Sequence, residues 1–119
     1  MSVSDTIRAI KLQDGLVVIP HPLDKYRSGL DLADMDAVIT QIDAVETLNG
    51  RTIGKPNLEL AHWAKAHGIA TVASSDAHTK SGLGRTYTQI DMAPSGAAEL
   101  LESLSEHGRL VYELSLIHI

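Results

Sequence analysis

Cysteine is absent from the 119 residues, so the chain has no disulfide and no thiolate metal site, and any metal must be held by imidazole and carboxylate. Aromatic side chains make up only 3%, which leaves core building to the abundant aliphatic residues. No run approaches the roughly 18 apolar residues that a membrane span needs, and the amino terminus lacks the basic-then-apolar layout of a secretory signal. A cytoplasmic location with no membrane partner is the resulting expectation. A basic surplus is missing too: the formal charge of -5 argues against non-specific nucleic-acid binding, which needs a positive footprint on phosphate backbones. Local basic side chains can still grip a single phosphate. With mean hydropathy near zero, this length predicts one globular domain with a modest core.

One unit of organisation recurs. "SDTIRAIKLQDGLVVIPH" runs from a polar cap at Ser4 through Ile7 and Ile10, at helical spacing, to Gly15 and an apolar strand over 16–19. "NLELAHWAKAHGIATVASS" follows the same order: Asn57 caps, Leu58, Ala61 and Ala64 share a face, Gly68 stops the helix, and 69–73 forms a strand. In "SGAAELLESLSEHGRLVYEL" the stripe is Ala97, Leu100, Leu101 and Leu104, the stop is Gly108, and the strand is 110–114. A looser fourth copy leads from Met35, Val38 and Ile39 into a strand over 44–48, and 86–90 adds a short edge strand. Helix-then-strand repetition predicts an α/β protein with a mainly parallel sheet and about four helix-strand units.

Polar residues then fall in a pattern. His21 directly follows the first strand, Asn49 the second, and Asp76 with His78 the third. In sheets and barrels of parallel strands, ligands gather at the carboxyl ends, where strand-to-helix loops converge. In extended backbone, alternate side chains point the same way, so Asp76 and His78 are expected to project together as a carboxylate-imidazole clamp for a divalent cation. His21 supplies a third ligand from a neighbouring strand end. Manganese, zinc or iron suits this nitrogen and oxygen set, and such an ion lowers the pKa of bound water from about 15.7 toward about 7. Arg27, Arg51 and Arg85 lie in the same loops, with Arg27 and Arg85 the better placed to grip a phosphate through paired guanidinium contacts.

The blocks "VVIPHPLDKYRSGL", "DAVETLNGR" and "GIATVASSDAHTKSGLGRTYTQI" resemble, in that order, the carboxyl-terminal half of the PHP domain, named for polymerase and histidinol phosphatase. The resemblance covers roughly residues 5–92. It implies part of a distorted, TIM-like β/α barrel that binds divalent metal ions and hydrolyses phosphoesters, one branch acting on nucleotides or oligonucleotide ends. It makes His21 the late histidine ligand, Asp76 and His78 the late Asp-x-His pair, and Asn49 a pocket residue. Arg27, Asn49 and Arg85 are expected to meet a small phosphorylated substrate. The family's early His-x-His motif has no counterpart before His21, and a complete barrel needs about 200 residues or more. Residues 1–114 are therefore expected to be the carboxyl-terminal part of a PHP-like domain whose amino-terminal half is missing, weakly active or inactive alone. The ending "SLIHI" resembles an artefactual terminus of short environmental reading frames, so residues 115–119 are set aside as a doubtful tail.

Plainer readings stand beside these. A His-Pro after a strand is commonly a turn, and Asp76 can cap nearby backbone amides. Glu46, on the face of Ala44 and Leu48, either supports the site from behind or pairs with an arginine. His62, His67 and His107 share no helical face at zinc-binding spacing and are expected to be exposed; His118 lies in the tail. Two other functions fit the same residues: a non-catalytic PHP-like module, structural or polymerase-associated, or an amidohydrolase-type metal barrel acting on carbon.

Overall fold

The computed structural model describes residues 1–24, 28–51 and 57–112. Its first helix, α1 (Val3–Lys11), starts two residues earlier than the sequence suggests, because Ser2 rather than Ser4 caps it: the Ser2 hydroxyl accepts from the Asp5 N–H at 3.1 Å. Strand β1 (Val18–Ile19) is shorter than expected, yet Val17 beside it is fully buried. Helix α2 (Leu32–Ala37) opens with a capping box in which Asp31 and Asp34 each accept from the other's backbone. A 3₁₀ turn then leads into β2 (Ala44–Asn49), buried at every position.

Helix α3 (Leu58–Ala66) is capped by Asn57, whose side chain accepts from Leu60 N–H at 3.0 Å. Its buried face is Leu60 and Ala64, with Trp63 packed alongside, rather than the Leu58, Ala61, Ala64 stripe expected; Leu58 is 66% exposed. The helix ends in a left-handed Gly68 at φ 68°, with Gly68 N–H on Lys65 O at 3.2 Å and Ile69 N–H on Ala64 O at 2.9 Å. This closure satisfies two terminal carbonyls and turns the chain into β3 (Ala70–Ser74).

The three strands form one parallel sheet in the order β1-β2-β3. The core lies where Ile7, Met35, Leu60 and Ala64 of the helices meet Ile19 and Val45 of the strands and Val17 and Ile69, which lead into β1 and β3. The last unit departs from expectation. Strand β4 (Thr86–Gln89) pairs antiparallel with β5 (Arg109–Tyr112), the two being joined through α4 (Ala97–His107). That ribbon meets β3 through a side chain: the Thr88 hydroxyl accepts from Ala73 N–H and donates to Ala73 O, both at 2.8 Å, so one hydroxyl takes over both ladder bonds at that position. Among the described residues the result is an α/β fold with a small open parallel sheet and a separate hairpin-like ribbon, not a closed barrel. No helix among them is long and apolar enough to cross a membrane.

Candidate functional site

The carboxyl ends of β1, β2 and β3 lie side by side, and a buried carboxylate organises them. Glu46, 7% exposed, accepts from the His21 backbone N–H at 2.9 Å and from the Asn49 amide at 2.6 Å on the same oxygen. Its other oxygen accepts from the Ser74 hydroxyl. Each donor is neutral, so Glu46 is held by three hydrogen bonds rather than by the arginine pairing considered from sequence. The Asn49 amide also donates to Asp76 Oδ2 at 3.1 Å, and its carbonyl accepts from Arg51 N–H at 2.9 Å. His21, Glu46, Asn49 and Asp76 are thereby joined across three strand ends.

Sequence alternation does not anticipate this meeting, since residues 46 and 49 of an ideal strand face opposite ways. The pairing of β2 with β3 shifts register between Glu46 and Leu48, making Thr47 an extra residue. That bulge changes the phase of the strand and turns the Asn49 amide onto the Glu46 carboxylate. Gly50 is required next: its N–H donates to Ser74 O at 2.8 Å, and a Cβ there would collide with the Ser75 backbone.

Two proposed ligands occupy sparsely populated backbone. His21 has φ 29° and Asp76 has φ 49°, both in the left-handed region. For Asp76 this corrects the extended geometry expected of the Asp-x-His element: β3 ends at Ser74, and the chain turns before His78. The His78 ring consequently folds back, its Nδ1 lying 2.8 Å from Asp76 O and 3.9 Å from Asp76 Oδ1. Arg51 Nη1 stands 2.9 Å from Nδ1 and 3.1 Å from Nε2 of the same ring.

Two cavities result. One of about 290 Å³ is bounded by His21, Pro22, Leu23, Glu46, Thr47 and Asn57 among others. The other, of about 250 Å³, is bounded by Arg51, Asp76, His78, Thr79 and Arg85 among others. Asn49 lines the first and reaches Asp76 on the second, so the cavities adjoin through its side chain. Arg85 sits where the sequence suggests, beside Asp76 and His78; Arg27 lies outside the described residues.

These positions decide whether the residues present fit a metal ion. The His21 Nδ1 atom is buried with no hydrogen-bond partner among the described residues, as a nitrogen that offers its lone pair to a cation would be. Asp76 and His78, however, line the other cavity, and among the described residues no group of three His, Asp or Glu is disposed to hold a metal. His21, Asp76 and His78 therefore do not make a chelate on their own as placed. His62 on α3 and His67 at its carboxyl-terminal cap are exposed.

The open parallel sheet with polar groups clustered on its carboxyl rim is an α/β arrangement of the kind in which ligands gather at strand ends. Residues 54–107 match the family model PHP_C, described as PHP-associated. That match agrees with a PHP-domain carboxyl-terminal region and with the resemblance drawn above; it takes in Asp76, His78 and Arg85, while His21 and Asn49 precede it.

Proposed function

We propose that the chain is the carboxyl-terminal part of a PHP-type barrel, and that in the assembled protein it forms one wall of a metal-dependent phosphoesterase site, cytoplasmic and acting on a small phosphorylated substrate such as a nucleotide. The observation that carries this reading is the hydrogen-bonded run from His21 through Glu46 and Asn49 to Asp76 across three neighbouring strand ends. A buried carboxylate spent on orienting a backbone and an amide makes sense where the groups it orients must hold an exact geometry. Arg85 and Arg51 border the Asp76 cavity and suit an anionic ester.

In this reading a divalent ion, manganese, zinc or iron, is held jointly: His21, Asp76 and His78 join donors from an amino-terminal half that completes the barrel. Because the present donors fall short of a chelate, no catalytic step is assigned to the ion here. What these residues do is narrower. Glu46 fixes the strand ends, Asn49 orients the Asp76 carboxylate, and the arginines attract the phosphate.

The test is phosphate release from nucleoside monophosphates with added manganese, measured for the 119-residue chain and for the same chain joined to an amino-terminal half that carries the early His-x-His motif. Turnover confined to the joined protein supports the proposal; equal, robust turnover in both contradicts it. The non-catalytic reading draws on one observation, that Arg51 contacts both ring nitrogens of His78. It predicts that Asp76→Ala leaves metal content and activity of the joined protein unchanged.

A further inference from the structure

One buried hydroxyl at the rim serves neither the strand ends nor the cation. Thr47, the extra residue of the β2 bulge, is 4% exposed, and its Oγ1 has no hydrogen-bond partner among the described residues. Packing alone favours valine at such a position, because a hydroxyl taken out of water without a partner costs stability. Thr47 lines the cavity of about 290 Å³ together with Pro22, Leu23, Glu46 and Asn57. Bonds within the walls hold them in place: Leu23 N–H donates to Leu30 O at 2.8 Å, Gly29 N–H to Asp24 O at 2.9 Å, and Asn57 N–H to Thr47 O at 2.7 Å. Among the described residues, the lining carries the carboxylates of Asp24 and Glu46 and no cation, whereas the adjoining cavity carries Arg51 and Arg85.

We propose that this cavity holds the sugar of a sugar-phosphate monoester, its ring against Pro22 and Leu23 and one hydroxyl on Thr47 Oγ1, while the phosphate lies in the adjoining cavity toward Arg51 and Arg85. The inference rests on the phosphoesterase reading and names the alcohol half of the substrate. Charge sorts the two halves, since carboxylates oppose an anion and guanidinium groups attract it. Pro22 and Leu23 offer an apolar wall to the C–H face of a ring, and the Thr47 hydroxyl can donate or accept, as a sugar hydroxyl can. The volume is at the lower end for ligand cavities, which suits a single ring rather than a whole nucleotide. Asn49 lines this cavity and bonds Asp76 on the other, so the ester linkage falls at the junction it spans. Only the Thr47 hydroxyl is needed for the sugar, and His21 Nδ1 stays available to the cation.

The experiment compares the 119-residue chain with its Thr47→Val and Thr47→Ser variants. Methyl ribofuranoside, methyl phosphate and ribose phosphate are titrated in turn and followed by amide NMR. The riboside is expected to shift the amides of Thr47 and Asn57, methyl phosphate those of Arg51, Thr79 and Arg85, and ribose phosphate both sets. Thr47→Val is expected to weaken ribose phosphate about 10-fold, to leave methyl phosphate unchanged and not to lower the urea midpoint; Thr47→Ser keeps wild-type affinity. Unchanged affinity of Thr47→Val for ribose phosphate would overturn the inference and leave Thr47 a packing residue. A riboside that moves neither Thr47 nor Asn57 in the wild-type chain would overturn it too, with no variant required to fold. Riboside shifts at Thr47 without any binding of methyl phosphate would keep the sugar site and remove the phosphate-ester reading beneath it.

Discussion

The carboxylate of Glu46 and the backbone N–H of His21 share a 2.9 Å hydrogen bond across 25 positions of sequence, binding the end of one parallel strand to the middle of the next. Strand pairing between β1 and β2 covers only two residue pairs, so this bond continues their association past the point where the ladder stops. Removing the acceptor takes the partner of the His21 N–H and of the Ser74 hydroxyl, and one of the two partners of the Asn49 amide. Glu46→Ala is expected to cost about 2–4 kcal/mol, because buried polar groups lose their partners. Glu46→Gln keeps one acceptor oxygen and can turn its amide to the Ser74 hydroxyl, at a cost of about 1 kcal/mol. Urea unfolding followed by the fluorescence of Trp63, the single tryptophan, separates the two.

Gly50 tests how closely β2 and β3 approach beyond their ladder. A methyl group there meets the backbone of Ser75, which cannot rotate away as a side chain would. Gly50→Ala is expected to lower stability by about 1–3 kcal/mol and to shift the amide signals of Asn49 and Ser75. An unperturbed spectrum at both would place the two strand ends further apart.

Leucines two positions apart on α3 are expected to behave oppositely. Leu60 is 0% exposed in the core, and Leu58 is 66% exposed. Leu60→Ala is predicted to cost about 2–5 kcal/mol and Leu58→Ala less than about 0.5 kcal/mol, measured as shifts in the urea midpoint.

Thr88 holds the β4-β5 ribbon to the sheet with one hydroxyl on both polar groups of Ala73. Thr88→Val keeps the shape and removes the hydroxyl. Stability is expected to fall by about 1–3 kcal/mol, with faster amide exchange at Ala73 as the local signature.

Helix-strand order was legible in the sequence because it depends on local signals: Asn57 as a cap, Gly68 as a stop, and apolar spacing in α1. The rim position of His21, Asn49 and Asp76 was legible for the same reason, since each simply follows an apolar run. What the sequence hid were exceptions to regular geometry. The bulge at Thr47 has no residue signature, yet it brings Asn49 to Glu46. The left-handed Asp76 breaks the alternation on which the Asp-x-His clamp relied. The antiparallel pairing of β5 with β4 is a tertiary choice that no local pattern encodes, and so is the approach of Arg51 to His78 across 27 positions.

The most direct measurement is manganese-dependent phosphate release by the chain joined to an amino-terminal half that carries the early His-x-His motif, comparing wild type with Asp76→Asn, which keeps shape and removes charge. Loss of more than about 100-fold in turnover, together with loss of bound manganese, is the result expected if this strand end carries a ligand of the hydrolytic centre. Full turnover and full metal content in Asp76→Asn would contradict it.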